Sequence, residues 1–223
     1  MANRISIFFL TLSSLALAMP ATSTTLNGAV ESDGMPLTDV VVTVTSTSKE
    51  SVSLQTKTKP VTMTLDQKSK EFIPHVLPVK TGTEVFFPNS DNIQHHVYSF
   101  SSTKRFEIKL YKGTPNKPIV FNQPGIAALG CNIHDWMLGY VFITDTPYFT
   151  KTDNTGHWFI DMPDGDYQIS LWHPNAKNPD ALPNEKLHVP SIQPLHHDIA
   201  LKSIRPSGKP PATLQMQGYH DGF

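Results

Sequence analysis

Short β-branched and aromatic runs, each cut off by a turn signal, set what this chain can fold into. Val40 to Thr45, Val61 to Leu65, Val85 to Phe87, Val97 to Phe100 and Phe106 to Tyr111 open the series. Ile119 to Phe121, Ile126 to Leu129 and Tyr140 to Ile143 follow, and Trp158 to Ile160, Tyr167 to Trp172 and Ile199 to Leu201 complete it. Asp33-Gly34, Thr81-Gly82, Pro124-Gly125, Thr155-Gly156 and Asp164-Gly165 punctuate them with residue pairs that favour sharp turns. Beyond residue 18 no segment sustains the 3.6-residue apolar period of a helix. Runs this short bury their apolar faces only by stacking sheet on sheet. The expected fold class is therefore all-β, a sandwich or a pair of sandwiches.

The first 18 residues stand apart. Arg4 precedes an apolar run from Ile5 that closes in Ala16-Leu17-Ala18, the pattern of a secretory signal peptide. The run is too short for the roughly 20 apolar residues of a membrane span. Cleavage after Ala18 would leave a chain with no membrane insertion, and a basic-then-apolar start fits export to a bacterial periplasm. An uncleaved anchor is the weaker alternative. Charged residues make up 17% of the chain and the net charge is −1, so no strong field favours nucleic acid or a membrane surface.

Export sharpens the meaning of Cys131, the only cysteine, which has no intramolecular disulfide partner. It opens Cys131-Asn-Ile-His134-Asp-Trp-Met137, placing a thiolate, an imidazole and a thioether within seven positions. Together with a second imidazole, that donor set is the one a blue-copper electron-transfer centre uses. Gln94-His95-His96-Val97 can supply the second imidazole from an earlier strand. A buried apolar Cys and a core Met137 are the bland readings of the same residues. His96 is the rival to His95, and Trp136 reads as packing.

The order of these parts resembles the cupredoxin family over residues 60–145, and amicyanin in particular. Thr81-Gly82-Thr83-Glu84-Val85 leads to Phe87-Pro88-Asn89, His95-His96-Val97 resembles the family's H-N-V, and Cys131, His134 and Met137 follow C-x2-H-x2-M. Gly125 stands six residues before Cys131, as in the family's approach strand, although Ala127 and Leu129 replace its aromatic residues. Asp135-Trp136 replace Pro-Phe inside the ligand loop. The resemblance implies a Greek-key β-sandwich holding one type 1 copper ion on His95, Cys131 and His134, with Met137 axial. It also makes Asn89 and the His96 backbone candidates for tuning the sulfur.

A second resemblance brackets the first. Asn27-Gly28-Ala29-Val30 through Gly34-Met35-Pro36-Leu37 to Val40-Val41-Val42 is similar to the opening of carboxypeptidase regulatory-like, or transthyretin-like, domains. Their continuation appears only after the copper region, as Thr152-Asp153-Asn154-Thr155-Gly156-His157-Trp158 and Pro163-Asp164-Gly165-Asp166-Tyr167. The expected organisation is thus a signal peptide at 1–18, a small sandwich split between 26–58 and 146–202, a cupredoxin domain at 60–145 inserted into it, and a flexible tail at 203–223. An N-terminal segment that joins the cupredoxin sheet instead is the alternative. Asp164-Gly165-Asp166 reads as a hairpin turn. The whole order of motifs also resembles periplasmic proteins labelled methylamine utilisation proteins, a label that names no substrate for this chain.

The functional expectation is a periplasmic blue-copper protein that carries single electrons. Its partner would be a c-type cytochrome, a quinone-linked complex or a dehydrogenase. A copper carrier or sensor would use the same ligands, but Met35, Met63, Met162 and Met216 form no Met-rich tract. A metal-free interaction module is the third reading. An enzyme is not expected, because no further histidine cluster of H-x-H type accompanies the site. His173 and the His196-His197 pair have no defined metal partners.

Overall fold

The computed structural model describes residues 23–48, 61–179, 182–191 and 193–203. The expected signal peptide at 1–18 and the tail from 204 onward lie outside the described residues. The fold is all-β, as its punctuated runs require. The chain opens with β1 (Ser23–Ser32), β2 (Met35–Pro36) and β3 (Val41–Ser46). A middle group follows: β4 (Thr62–Thr64), β5 (Asp66–Lys68), β6 (Glu71–Ile73), β7 (Val76–Lys80), β8 (Thr83–Phe86), β9 (His95–Ser99), β10 (Phe106–Tyr111), β11 (Ile119–Phe121), β12 (Gly125–Cys131) and β13 (His134–Thr144). The closing strands are β14 (Tyr148–Lys151), β15 (His157–Pro163), β16 (Gly165–Trp172), β17 (Asn184–Val189) and β18 (Leu195–Asp198).

The opening strands pair with the closing ones across the middle group. β1 lies between β15, antiparallel, and β18, parallel. β3 lies between β14 and β16, both antiparallel, with β17 beyond β16. Alternation aims Trp158, Ile160 and Met162 of β15 and Tyr167, Ile169 and Leu171 of β16 inward, where they meet Leu26, Val30, Val42 and Val44 in one buried cluster. Burying a residue such as Ile169 or Val44 completely is worth about 1.5–3 kcal/mol. That return explains why two stretches more than 100 residues apart hold together.

The middle strands close around a separate core. A five-stranded sheet runs β10-β9-β12-β13-β7, and a three-stranded sheet runs β11-β8-β4. Leu65, Phe72, Leu77, Val85, Phe87, Val97, Phe121, Ala127, Leu129 and Val141 pack together there. The β5–β6 hairpin supplies Phe72 to this cluster. Contacts join the two cores' surroundings. The Trp172 ring packs on Tyr140 and Phe142 of β13 at centroid distances of 5.7 and 5.3 Å, and Lys151 Nζ donates to the Val76 carbonyl at 3.0 Å while pairing with Asp39 at 2.6 Å.

Two expectations about local structure need correction. Asp164-Gly165 does not close a hairpin: β15 belongs to the sheet of β1 and β16 to the sheet of β3. Both strands face one core from opposite sides, so the turn between them has to cross from sheet to sheet. Ile199 to Leu201 is not a strand; β18 ends at Asp198, Ile199 is buried just beyond it, and Leu201 makes only an isolated bridge to Ala176. The pairing with β1 lies under Leu195-His196-His197-Asp198, whose polar composition hides it.

Candidate metal centre

The site grows from the pleat of two neighbouring strands. On β12 the alternating positions Ala127, Leu129 and Cys131 are buried, and on β9 the alternating positions His95, Val97 and Ser99 are buried. β12 and β9 run antiparallel with Gly130 opposite Tyr98, which brings the end of β12 beside the start of β9. Between β12 and β13 the register breaks: Gly130 faces Leu138, but the next pair is Cys131 with His134. The residues taken up by that irregularity turn His134 back toward the sulfur.

These three constraints converge. Cys131 Sγ lies 3.7 Å from His95 Nδ1 and 3.9 Å from His134 Nδ1. One donor atom from each of the three residues falls within 4.8 Å of the others. Cys131 is 2% exposed and His95 fully buried, whereas His134 is half-buried. Burial pushes the His134 imidazole below its ordinary pKa, and the nearby His95 adds to that push. A neutral imidazole with a free ring nitrogen is the form that binds a metal.

A brace behind β9 holds His95. Its Nε2 lies 2.8 Å from Asp91 Oδ2. The Asp91 carboxylate also accepts from the backbone N–H of Ser69 at 2.7 Å on Oδ1 and of Lys70 at 2.9 Å on Oδ2. Ser69 and Lys70 form the two-residue turn of the β5–β6 hairpin, with φ of 56° and 58°. Burial alone would raise the Asp91 carboxyl, but the Lys70 N–H, the His95 side chain and the Ser69 N–H together hold it below its ordinary value. Asn89, 5% exposed, accepts from the Asp91 N–H and donates to the carbonyls of Ile93 and Tyr111. Its amide therefore fixes the segment bearing Asp91; the tuning of the sulfur expected of it is not among these bonds.

Beneath that segment, Gln67 Nε2 donates to the Pro88 carbonyl at 3.1 Å and to the Tyr111 hydroxyl, which in turn donates to the Phe87 carbonyl at 2.6 Å. Burial lifts the Tyr111 phenol to about 12.

The remaining expected residues fall in distinct places. Met137, 1% exposed, belongs to the same buried cluster as Cys131. His134 and Met137 both lie on β13, so the expected ligand loop shrinks to the tight turn at Asn132-Ile133. His96 faces away from the donors, with Nε2 3.0 Å from Glu107 Oε1 but out of line for a hydrogen bond. Trp136 lies with its ring 5.2 Å from that of His134, and its indole N–H is buried with no acceptor among the described residues. Asp135 is exposed.

His173 is buried where Trp172 meets β13. Burial lowers its imidazole pKa and the proximity of His75 adds to the effect, with Asp39 opposing. His197 pairs with Glu185 at 2.7 Å. Among the described residues, His95, Cys131 and His134 are the only metal-capable group of three or more His, Cys, Asp or Glu. Sequence reading missed Asp91, Ser69 and Lys70. Its one available signal was an acidic residue four positions before His95 and two after Asn89 of Phe87-Pro88-Asn89.

No protein-family model matches this chain, and no curated protein matches it. Solved structures do. A Cu-containing nitrite reductase (NirK) from Thermus scotoductus SA-01 matches at 23% identity and a TM-score of 0.37, over 40% of this chain and 24% of that one. A reduced mutant of amicyanin matches at 18% identity and 0.35, over 40% of this chain and 87% of its own. A purple cupredoxin from Nitrosopumilus maritimus matches at 20% identity and 0.33, over 38% of this chain and 99% of its own. The chain thus spans about a quarter of the reductase. The chemistry of the site rests on its own geometry.

Proposed function

We infer that this chain is a type 1 (blue) copper protein that carries single electrons. The observation that carries this reading is the convergence of one donor atom each from His95, Cys131 and His134 within 4.8 Å of one another in a β framework. The fit is chemical as well as spatial: a soft thiolate with two imidazoles selects copper over hard cations, and buried Met137 on the same strand as His134 is the candidate weak axial donor. Copper, when bound, would supply a one-electron couple.

The residues of the chain supply the rest. Burial of Cys131 and His95 within the fold keeps water from their donor atoms. The β9, β12 and β13 ladders hold them so that little rearrangement accompanies a change of charge. Half-buried His134 provides the route by which an electron reaches a partner. A c-type cytochrome, a quinone-linked complex or a dehydrogenase suits that role, and the net charge of −1 implies docking with weak dependence on salt. We read residues 60–145 as a cupredoxin domain inserted into a regulatory-like sandwich built from 26–58 and 146–202. The hydrogen bonds of β3 to β14 and β16, and the two separate cores, support that division. The leader pattern at 1–18 supports a periplasmic location, and the function requires no catalysis of bond changes.

The test is retention. The full chain, loaded with one equivalent of Cu(II), is reduced and then challenged with a Cu(I) chelator. An electron carrier keeps its copper through repeated reduction and reoxidation. Loss of copper on the first reduction favours delivery or sensing instead, and a chain that takes up none is an interaction module.

A further inference from the structure

The geometry points to Asp91 as a positioning residue that fixes which nitrogen of His95 faces the metal and biases the centre toward its more highly charged state. This inference rests on the copper reading for its second half only. Which imidazole nitrogen is left free to bind a metal is set by the hydrogen bond the other makes. Here His95 is fully buried, its Nε2 lies 2.8 Å from Asp91 Oδ2, and its Nδ1 is the atom turned to Cys131. The proton therefore belongs on Nε2, leaving the Nδ1 lone pair free.

Asp91 is itself held rather than loosely placed. Oδ1 accepts the Ser69 N–H, Oδ2 accepts the Lys70 N–H, and the Asp91 N–H is bound by Asn89 Oδ1. The Ser69-Lys70 turn adopts positive φ at two non-glycine residues, a conformation that is energetically unfavourable for L-residues. Charge-assisted bonds to the carboxylate, about twice as strong as neutral ones, offset it. The β5–β6 hairpin, Asp91 and His95 thus form one chain of contacts from the surface to the candidate metal.

Two consequences follow from a fixed anion one imidazole away from the ion. It makes His95 a more basic ligand, and it stabilises Cu(II) more than Cu(I), so it lowers the reduction potential. Asparagine cannot substitute. Both carboxylate oxygens already accept backbone N–H groups, and an amide, with a single oxygen, must turn its own N–H toward one of those donors or toward His95.

The experiment compares the full wild-type chain with Asp91→Asn. In metal-free protein carrying nitrogen-15 histidine at pH 8, wild-type His95 should show a single tautomer protonated at Nε2, and the variant a mixture of both. On loading with Cu(II), the variant should bind about 10–100-fold more weakly. Its potential should rise, by about 59 mV for each tenfold loss of preference for Cu(II) over Cu(I) in a one-electron couple. A wild-type His95 protonated at Nδ1 overturns the inference even if the variant does not fold. So does a variant with an unchanged tautomer, or with a potential that stays level or falls. A wild-type chain that binds no copper defeats the copper reading instead, while the His95 nitrogen signals still decide the role of Asp91.

Discussion

Gly139→Ala probes the strand that carries two of the proposed ligands. Gly139 lies on β13, two positions after Met137 and five after His134. A methyl group added there would meet Phe72 Cβ at 2.8 Å and its Cδ2 and Cγ at 3.0 Å. Phe72 is 2% exposed and anchors the β5–β6 hairpin in the core, so its ring has nowhere to swing. Overpacking of this kind costs about 1–3 kcal/mol, and removing a strand glycine returns about 0.5–1. The net expectation is a loss of up to about 2.5 kcal/mol in the metal-free chain, read from urea unfolding. Phe72→Ala alone should cost about 3–5 kcal/mol, because it empties the same space. Combined, the two changes should cost about 1 kcal/mol less than their sum, since the new methyl enters the vacated volume. A stabilising Gly139→Ala, or strictly additive effects, would refute the packing argument.

Two further outcomes are expected. Trp172→Ala removes ring contacts to Tyr140 and Phe142, each pair worth about 0.5–1.5 kcal/mol. Calorimetry should show a lowered and broadened transition as the two cores uncouple, and an unchanged sharp one would contradict the contact's importance. On acidification, burial keeps the pKa values of His173 and His134 below the ~6.5 of an exposed histidine. The unfolded chain then binds more protons than the folded one. The stability these groups contribute is complete above about pH 6.5 and is lost as the pH falls through their lower folded values. Urea midpoints of the metal-free chain should decline from pH 7 to 5, less so in His173→Asn, and equal declines in both proteins would count against His173.

The gathering of His95, Cys131 and His134 was readable because chemistry-bearing residues are few and their spacing is distinctive. One cysteine, a histidine three positions later and an earlier His-x-Val leave little choice. The pairing of β3 with β16 was foreshadowed by turn motifs separated by the middle strands, since Gly34, Gly156 and Gly165 mark corners wherever the chain goes next. Other features carried no such mark. The Ser69-Lys70 turn lacks the glycine that usually announces positive φ, because the Asp91 carboxylate does the stabilising from 21 residues away. β17 and β18 are too polar for an alternation argument. The break in register after Gly130 depends on how β12 and β13 fit, which is a property of the assembled sheet.

The visible spectrum of the full chain during a Cu(II) titration tests the central claim most directly. An intense thiolate-to-Cu(II) charge-transfer band should grow to one equivalent and vanish in Cys131→Ser. It should be lost or strongly altered in His95→Ala, and persist in His96→Ala. A chain that stays colourless, or whose band survives without Cys131, contradicts the account.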